Sequence, residues 1–382
     1  MTRFALLFAL AASCSLPAAE NSGAMDLFNG RDLSGWVNAN GAPETWSVRD
    51  GVIHCTGKPI CALRTVRQYE NFVLELEWRH LSSGGNSGIF IWGTPIAAPG
   101  GPFLRSIEVQ VLDNGFNVPG KNEWYTTHGD VFPIHGATMK PFGRHNGSRS
   151  FPSEERSKSS PEWNHYRIVG SNGVLRLSVN GKEVSGGEAC NYRQGYLGLE
   201  SEGAPVEFRN IRLWELPSSG TPPELTAPID PGWRTIFNGL DMRGWQASAP
   251  AAKDWTVRGE RLVVNPRAAD ATLWTDQDFG DAEFVVDCRP DKPAAGRELA
   301  VPSVLVRGRD GKGLALKLPG LEAEKYQRFI ITVKGREVIL KAGEKELQRA
   351  QLPSDAPDHG AFGLRNSGSP AETAAAMATM TA

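Results

Sequence analysis

Between Phe72 and Arg79 apolar and charged residues alternate, with Leu74, Leu76 and Trp78 on one side and Glu75, Glu77 and Arg79 on the other. A period of two is that of a strand with one buried face. Ser87 to Trp92, Ile107 to Leu112, Tyr166 to Val169, Val174 to Val179 and Val206 to Leu213 read the same way, bounded by Gly, Asn or Pro. Asn180-Gly181, directly after one such run, is a strong hairpin-turn signal. No stretch carries the 3.6-residue period of a long amphipathic helix. Many short strands joined by short turns predict an all-β chain built as two-sheet sandwiches.

The pattern also repeats. Leu27-Phe28-Asn29-Gly30-Arg31-Asp32-Leu33-Ser34-Gly35-Trp36 returns as Ile236-Phe237-Asn238-Gly239-Leu240-Asp241-Met242-Arg243-Gly244-Trp245. Trp46 to Arg49 is answered by Trp255 to Arg258, Tyr69 to Leu76 by Phe279 to Val286, and Gly195 to Leu199 by Gly360 to Leu364. Preserved order over such a span means two copies of one domain. The expected organisation is a leader over 1–24, a first sandwich over 25–216, a linker over 217–232 rich in Pro, Ser and Gly, a second, smaller copy over 233–372, and a disordered tail over 373–382.

The copies differ in their polar residues. Glu108 and Gln110 in the first align with Leu314 and Leu316 in the second, and Glu200 and Glu202 align with Arg365 and Ser367. The segment from Asn114 to Pro161, which holds Trp124, His128, Asp130, His135 and His145, shrinks to a few residues in the second copy. A scaffold needs its apolar face and turns, whereas a site needs its polar groups. Any chemistry therefore belongs to the first copy. The alanine-rich end of the second copy replaces the last strand of the first, so that copy is expected to be incomplete at its C-terminus.

Composition narrows the partners. Of 382 residues 40% are hydrophobic and 22% charged, and the formal net charge is -2. That balance gives no electrostatic basis for binding nucleic acid or anionic membrane. Eleven tryptophans exceed what the cores require, and sugar-handling surfaces use such rings. Arg3 followed by the apolar run Phe4 to Ala12 and then small residues reads as an export signal, too short to be a transmembrane span. Cys14 in that stretch is a candidate for lipid attachment. A periplasmic or extracellular location follows, where Cys55, Cys61, Cys190 and Cys288 would meet an oxidising environment. Cys55 and Cys61 are close enough in sequence to close a small loop, and unpaired buried thiols are the equal alternative.

The first copy resembles the 3-keto-disaccharide hydrolase domain. The resemblance rests on Leu27 to Trp36, Gly84-Gly85-Asn86-Ser87-Gly88-Ile89-Phe90, Glu108 to Asp113, Glu162 to Arg167 and Val206 to Ile211, in order across residues 26–215. It implies a concanavalin-A-like jelly roll, secretion, and action on glycosides oxidised to a ketone at carbon 3. Glu202 stands where histidine is expected in many members. Glucanases of that fold place two carboxylates on such a strand, whereas here Glu108 is followed two residues later by an amide.

Residues two apart on a strand share a face, so Glu108 and Gln110 project together. Gln110 can neither attack nor supply an acidic proton, which disfavours ordinary two-carboxylate hydrolysis unless Asp113 or Glu200 provides the second group. A 3-keto sugar needs only a base for the carbon 2 proton, an acid for the leaving oxygen and donors for the enolate. Glu108 is a candidate base or metal-binding carboxylate and His128 a candidate base or acid, with Asn86, Gln110, Asp113, Asp130, Trp124 and Glu200 as candidate substrate contacts. No cofactor is required; a divalent metal held by Glu108 with His128 is the one these residues admit. The ligand expected is carbohydrate, and the competing reading is a lectin-like pair of modules that binds glycan without turnover. Oligomeric state is not legible.

Overall fold

The computed structural model describes residues 23–120, 123–246, 253–264, 269–293, 299, 301–367 and 371–380. The expected leader and Cys14 lie outside the described residues. Four antiparallel sheets make two sandwiches. A 9-stranded and an 8-stranded sheet are drawn from residues 25–215, and an 8-stranded and a 4-stranded sheet from residues 234–380. Among the described residues helix is limited to short 3-10 turns, including Pro43–Thr45 and Pro223–Leu225, each with proline in its first turn. Among the described residues no helix is long and apolar enough to cross a membrane.

The alternating run is the central strand Phe72–His80, whose burial alternates along its whole length. Its Leu74, Leu76 and Trp78 meet Ile89, Ile91, Val109, Leu197 and Leu199 of the opposing sheet in one core. Each such side chain contributes on the order of 1.5–3 kcal/mol of burial, enough to fix register on both sheets, since a slip by one residue would turn these groups outward. Strands Asn86–Gly93, Ser106–Leu112 and Tyr196–Ser201 of the 8-stranded sheet are buried on both faces. One face is this core. The other is where polar residues gather.

The second sandwich repeats the central strands of the first. Phe72–His80 corresponds to Ala282–Pro290, and Val206–Glu215, which pairs with it, corresponds to Ala371–Met380. The tail expected to be disordered from residue 373 is instead this strand, laid between Ala282–Pro290 and Leu262–Val264. Its alanines and threonines carry no alternating contrast to read, but a ladder is made by backbone N–H and C=O groups, which any side chain leaves available. The second copy thus has its C-terminal strand, while among the described residues its smaller sheet holds four strands against eight in the first.

Register also corrects the alignment of the copies. Phe90 pairs with Glu108 in the first sandwich as Leu305 pairs with Ala315 in the second, and Gly88 pairs with Gln110 as Ser303 pairs with Lys317. Ala315 and Lys317, not Leu314 and Leu316, stand in the places of Glu108 and Gln110. The apolar leucines belong to the core face, one residue out of step.

The two sandwiches are docked. Asp287, fully buried, accepts two hydrogen bonds from Arg328 at 2.7 Å and one from Gly100 N at 2.9 Å, while Arg328 also donates to Ala97 O. Trp233, Val285, Ile96 and Ile330 form a small apolar cluster beside it. The linker is tied down by Asp230, which pairs at 2.5 Å with the buried Arg64. All four described cysteines are free and buried, so the Cys55–Cys61 loop closure is not made. Burial pushes Cys55 up to about 11 and Cys190 and Cys288 to about 12, inert thiols.

Candidate active site

Three carboxylates meet on the outer face of the 8-stranded sheet. Glu108 comes from Ser106–Leu112 and Glu200 from Tyr196–Ser201, on either side of Gly88 in Asn86–Gly93. A Cβ at Gly88 would lie 2.6 Å from Glu200 Oε2 and 3.0 Å from Glu108 Oε1. The two carboxyl oxygens are therefore separated by no more than the sum of those distances, and they lean over the one residue with no side chain. Glycine is needed here for space, since its backbone lies in an ordinary strand. Glu202, two residues beyond Glu200, is half-buried at the rim.

Burial sets the electrostatics. Glu200 is 0% exposed and neither of its oxygens has a hydrogen-bond partner within the protein. Desolvation, then Glu108 and Glu202, hold its proton on well above the carboxylate range. Glu108, 5% exposed, is pushed up to about 8, first by burial and then by Glu202. Glu202 is raised by burial to about 7. Neighbouring carboxyls that cannot all ionise share protons as a unit. At neutral pH this face offers both a protonated acid and a group able to take a proton.

A polar chain crosses the face toward the carboxylates. Arg149 Nη1 donates to Asp130 Oδ2 at 3.1 Å and to Gln110 Oε1 at 3.3 Å. Gln110 Nε2 donates to Asn86 Oδ1 at 2.9 Å and to Ser87 O at 3.1 Å, and the Asn86 side chain bonds Glu202. The guanidinium carbon of Arg149 lies 3.3 Å from the centroid of the Phe132 ring, which fixes its plane. Gln110 and Asn86, expected to hold sugar hydroxyls, are thus committed largely to one another. Their effect is to orient Arg149 at one end and Glu202 at the other.

The remaining expected residues separate from this cluster. Asp130 is fully buried and closes a loop by accepting from Thr126 N at 2.8 Å and from the Thr126 hydroxyl, so it serves as the anchor for Arg149. Asp113 accepts from Gly84 N and Gly115 N at 2.8 Å and from Ser160 N at 2.6 Å. Those amides keep its carboxyl low against the cost of burial, and its role is to pin loops. His128 Nδ1 lies 2.9 Å from Ser157 Oγ and Nε2 lies 3.7 Å from Glu155. It lines an open pocket of about 440 Å³ with Tyr125 and Arg144, in which Glu108 has no part. Burial lowers its proton affinity, opposed by Glu155 and Asp130. Trp124 is 67% exposed on the loop beside that pocket.

His128 and Glu108 are not brought together as a metal pair, and among the described residues no group of three or more His, Cys, Asp or Glu side chains is arranged to hold an ion. One residue of the cluster escaped the sequence, and one was noted there without a role. Arg149 sits in a basic, serine-rich stretch with no period to mark it. Glu202 was visible as the same-face partner of Glu200, two residues along, lost with it from the second copy.

The chain is similar to several known proteins. A curated 3-keto-disaccharide hydrolase of Bacteroides thetaiotaomicron is 26% identical over 257 residues, covering 53% of this chain and 81% of the relative. A crystal structure of a candidate glycosyl hydrolase from Parabacteroides distasonis matches with 24% identity and a TM-score of 0.40, covering 52% of this chain and 96% of that one. The carbohydrate-binding module CBM66 from Bacillus subtilis matches with 13% identity and a TM-score of 0.33, over 46% of this chain and 93% of the module. The model of the 3-keto-alpha-glucoside-1,2-lyase-like domain matches residues 23–214, the whole of the first sandwich, and the chain belongs to that family of glycoside-processing enzymes.

Proposed function

We propose that the first sandwich cleaves 3-keto-glycosides by elimination across carbons 1 and 2, followed by addition of water. The observation that carries this reading is the group of three carboxylates with raised proton affinities facing a fixed guanidinium. Glu202 is the base. It is the most accessible of the three, its affinity of about 7 is closest to neutral, and Asn86 holds its orientation. Its oxygen takes the proton from carbon 2, whose acidity comes from the adjoining ketone, and the C–H electrons pass into a C2–C3 double bond with charge on the carbon 3 oxygen. Arg149, held by Asp130 and Gln110, supplies the cation that balances this charge. Re-formation of the ketone drives the electrons into a C1–C2 double bond and breaks the bond to the leaving oxygen. Glu108, protonated below about pH 8, gives that oxygen its proton. Water then adds across the double bond, completing net hydrolysis.

Glu200 keeps its proton throughout, held on by its burial and by the neighbouring Glu108 and Glu202. An unoxidised glycoside has no ketone to acidify carbon 2, so the scheme requires the keto sugar. The full chain is tested by release of an aryl aglycone from a 3-keto-glucoside and from its unoxidised parent. Release from the keto substrate alone supports elimination. Equal release from both contradicts it, and glycan binding without release from either indicates a lectin.

A further inference from the structure

The second sandwich has lost the carboxylates, yet it contributes a wall to a cleft that begins where the site ends. Glu200 pairs with Ala62 and Ser201 with Cys61, so Glu202 and Ile60 are the next residues along the two chains. Ile60 N donates at 2.7 Å to Glu260 Oε1 of the second sandwich. Between the domains at this point lies a cleft of about 370 Å³, lined by Asn40, Ile60 and Pro102 on one side and by Phe237, Glu260 and Arg261 on the other. Asn40 is held across its floor, donating to Pro102 O at 2.8 Å and accepting from Ala62 N at 3.1 Å.

Glu260 occupies an unusual place for its type. It sits at φ 63° in the tight turn closed by Arg258 N and Arg261 O, a conformation that favours Asn or Gly and costs other residues roughly 1–2 kcal/mol. A turn could be made better without it. Arg261, next in sequence and half-buried, lays its guanidinium 5.5 Å from the centre of the Tyr326 ring, so the cation too is held in place. One carboxylate beside one guanidinium leaves the cleft nearly neutral overall, while offering an acceptor and planar donors to adjoining hydroxyls. Ile60, Pro102 and Phe237 supply apolar surface for C–H faces. That combination suits an uncharged polyol ring better than an ion or a flat apolar ligand.

We propose that this cleft is a saccharide subsite built jointly by the two domains, and that it receives the sugar unit on the leaving-group side of the bond cleaved beside Glu202. The assignment of the leaving-group side rests on the elimination reading above. It gives the second sandwich a function: selecting disaccharides over glycosides with small aglycones.

The full chain would be compared with Arg261→Ala and Glu260→Gln on two substrates, a 3-keto-glucosyl-glucose and methyl 3-keto-glucoside. Glu260→Gln retains an acceptor for Ile60 N. Arg243→Ala, which removes the exposed interdomain pair with Glu44 outside this cleft, controls for loosened docking. The expected result is a KM for the disaccharide raised at least tenfold in Arg261→Ala and severalfold in Glu260→Gln, with the methyl glycoside within twofold and Arg243→Ala unselective. Equal effects on both substrates, or none on either, overturn the subsite. If the wild-type protein turns over neither substrate, the elimination reading fails. The cleft is then judged by calorimetric titration with unoxidised glucosyl-glucose: binding weakened by Arg261→Ala and kept in Arg243→Ala upholds it, and no binding at millimolar sugar refutes it.

Discussion

Gly88→Ala isolates geometry from chemistry, because it alters no ionisable group. The new methyl would stand 2.6 Å from Glu200 Oε2 and 3.0 Å from Glu108 Cγ and Oε1, against about 3.4 Å for ordinary contact. Glu200 must retreat by about 0.8 Å and Glu108 by about half as much, both by side-chain rotation. Overpacking of this kind costs about 1–3 kcal/mol, offset by about 0.4–1 kcal/mol from the smaller entropy of the unfolded alanine chain. The fold should survive with a small loss. Catalysis should fall as well: displacing a reacting group by about 1 Å costs on the order of 10²-fold in rate, and Glu108, the reacting group of the two, moves by about half that. The assay pairs kcat/KM on a 3-keto-glucoside with thermal unfolding. A fall of about 10-fold with a cooperative transition within several degrees of the wild type is expected. Activity within twofold of the wild type would refute the placement of the reacting Glu108 over Gly88.

Four further outcomes follow from the same geometry. The pH profile of kcat/KM should be bell-shaped, with an acid limb near 7 for the base and an alkaline limb near 8 for the acid, both belonging to the coupled cluster; a profile flat from pH 6 to 9 would contradict the assignment. Glu202→Gln should abolish turnover while lowering the proton affinity of Glu108, whose second-largest cause of elevation it removes, and titration of Glu108 unchanged from about 8 would count against that coupling. Because the folded cluster holds protons that the unfolded chain releases above about pH 4.5, stability should fall as pH rises from there toward 8, by up to about 1.4 kcal/mol per unit for each group; denaturant midpoints that rise over this range would reverse the sign. Asp113→Ala should cost on the order of 3 kcal/mol by orphaning three backbone amides, leaving both limbs of the pH profile in place.

The sandwich architecture was legible because Leu74, Leu76 and Trp78 alternate with charges, and because one packed face is all that such alternation can serve. The repeat pointed to the first copy as the place of the proposed site, since Glu108, Gln110, Glu200 and Glu202 are absent from the second copy. Two things were not legible. Pairing of Asn86 with Gln110 and of Arg149 with Asp130 depends on which strands become neighbours, and no local period encodes that. His128 was a candidate by residue type, and nothing local in the sequence told that its loop would turn it to Ser157 and Glu155. The last strand of the second sandwich escaped notice for a related reason: alanine and threonine leave no contrast between faces, while the backbone ladder is indifferent to them.

The central claim is that carbon 2 loses its proton to Glu202 before the glycosidic bond breaks. It is tested most directly with a 3-keto-glucoside carrying deuterium at carbon 2. A primary isotope effect on aglycone release, or loss of deuterium to solvent from unreacted substrate, with both absent in Glu202→Gln, is the predicted result. Full retention of deuterium at carbon 2 in the released sugar would contradict the account.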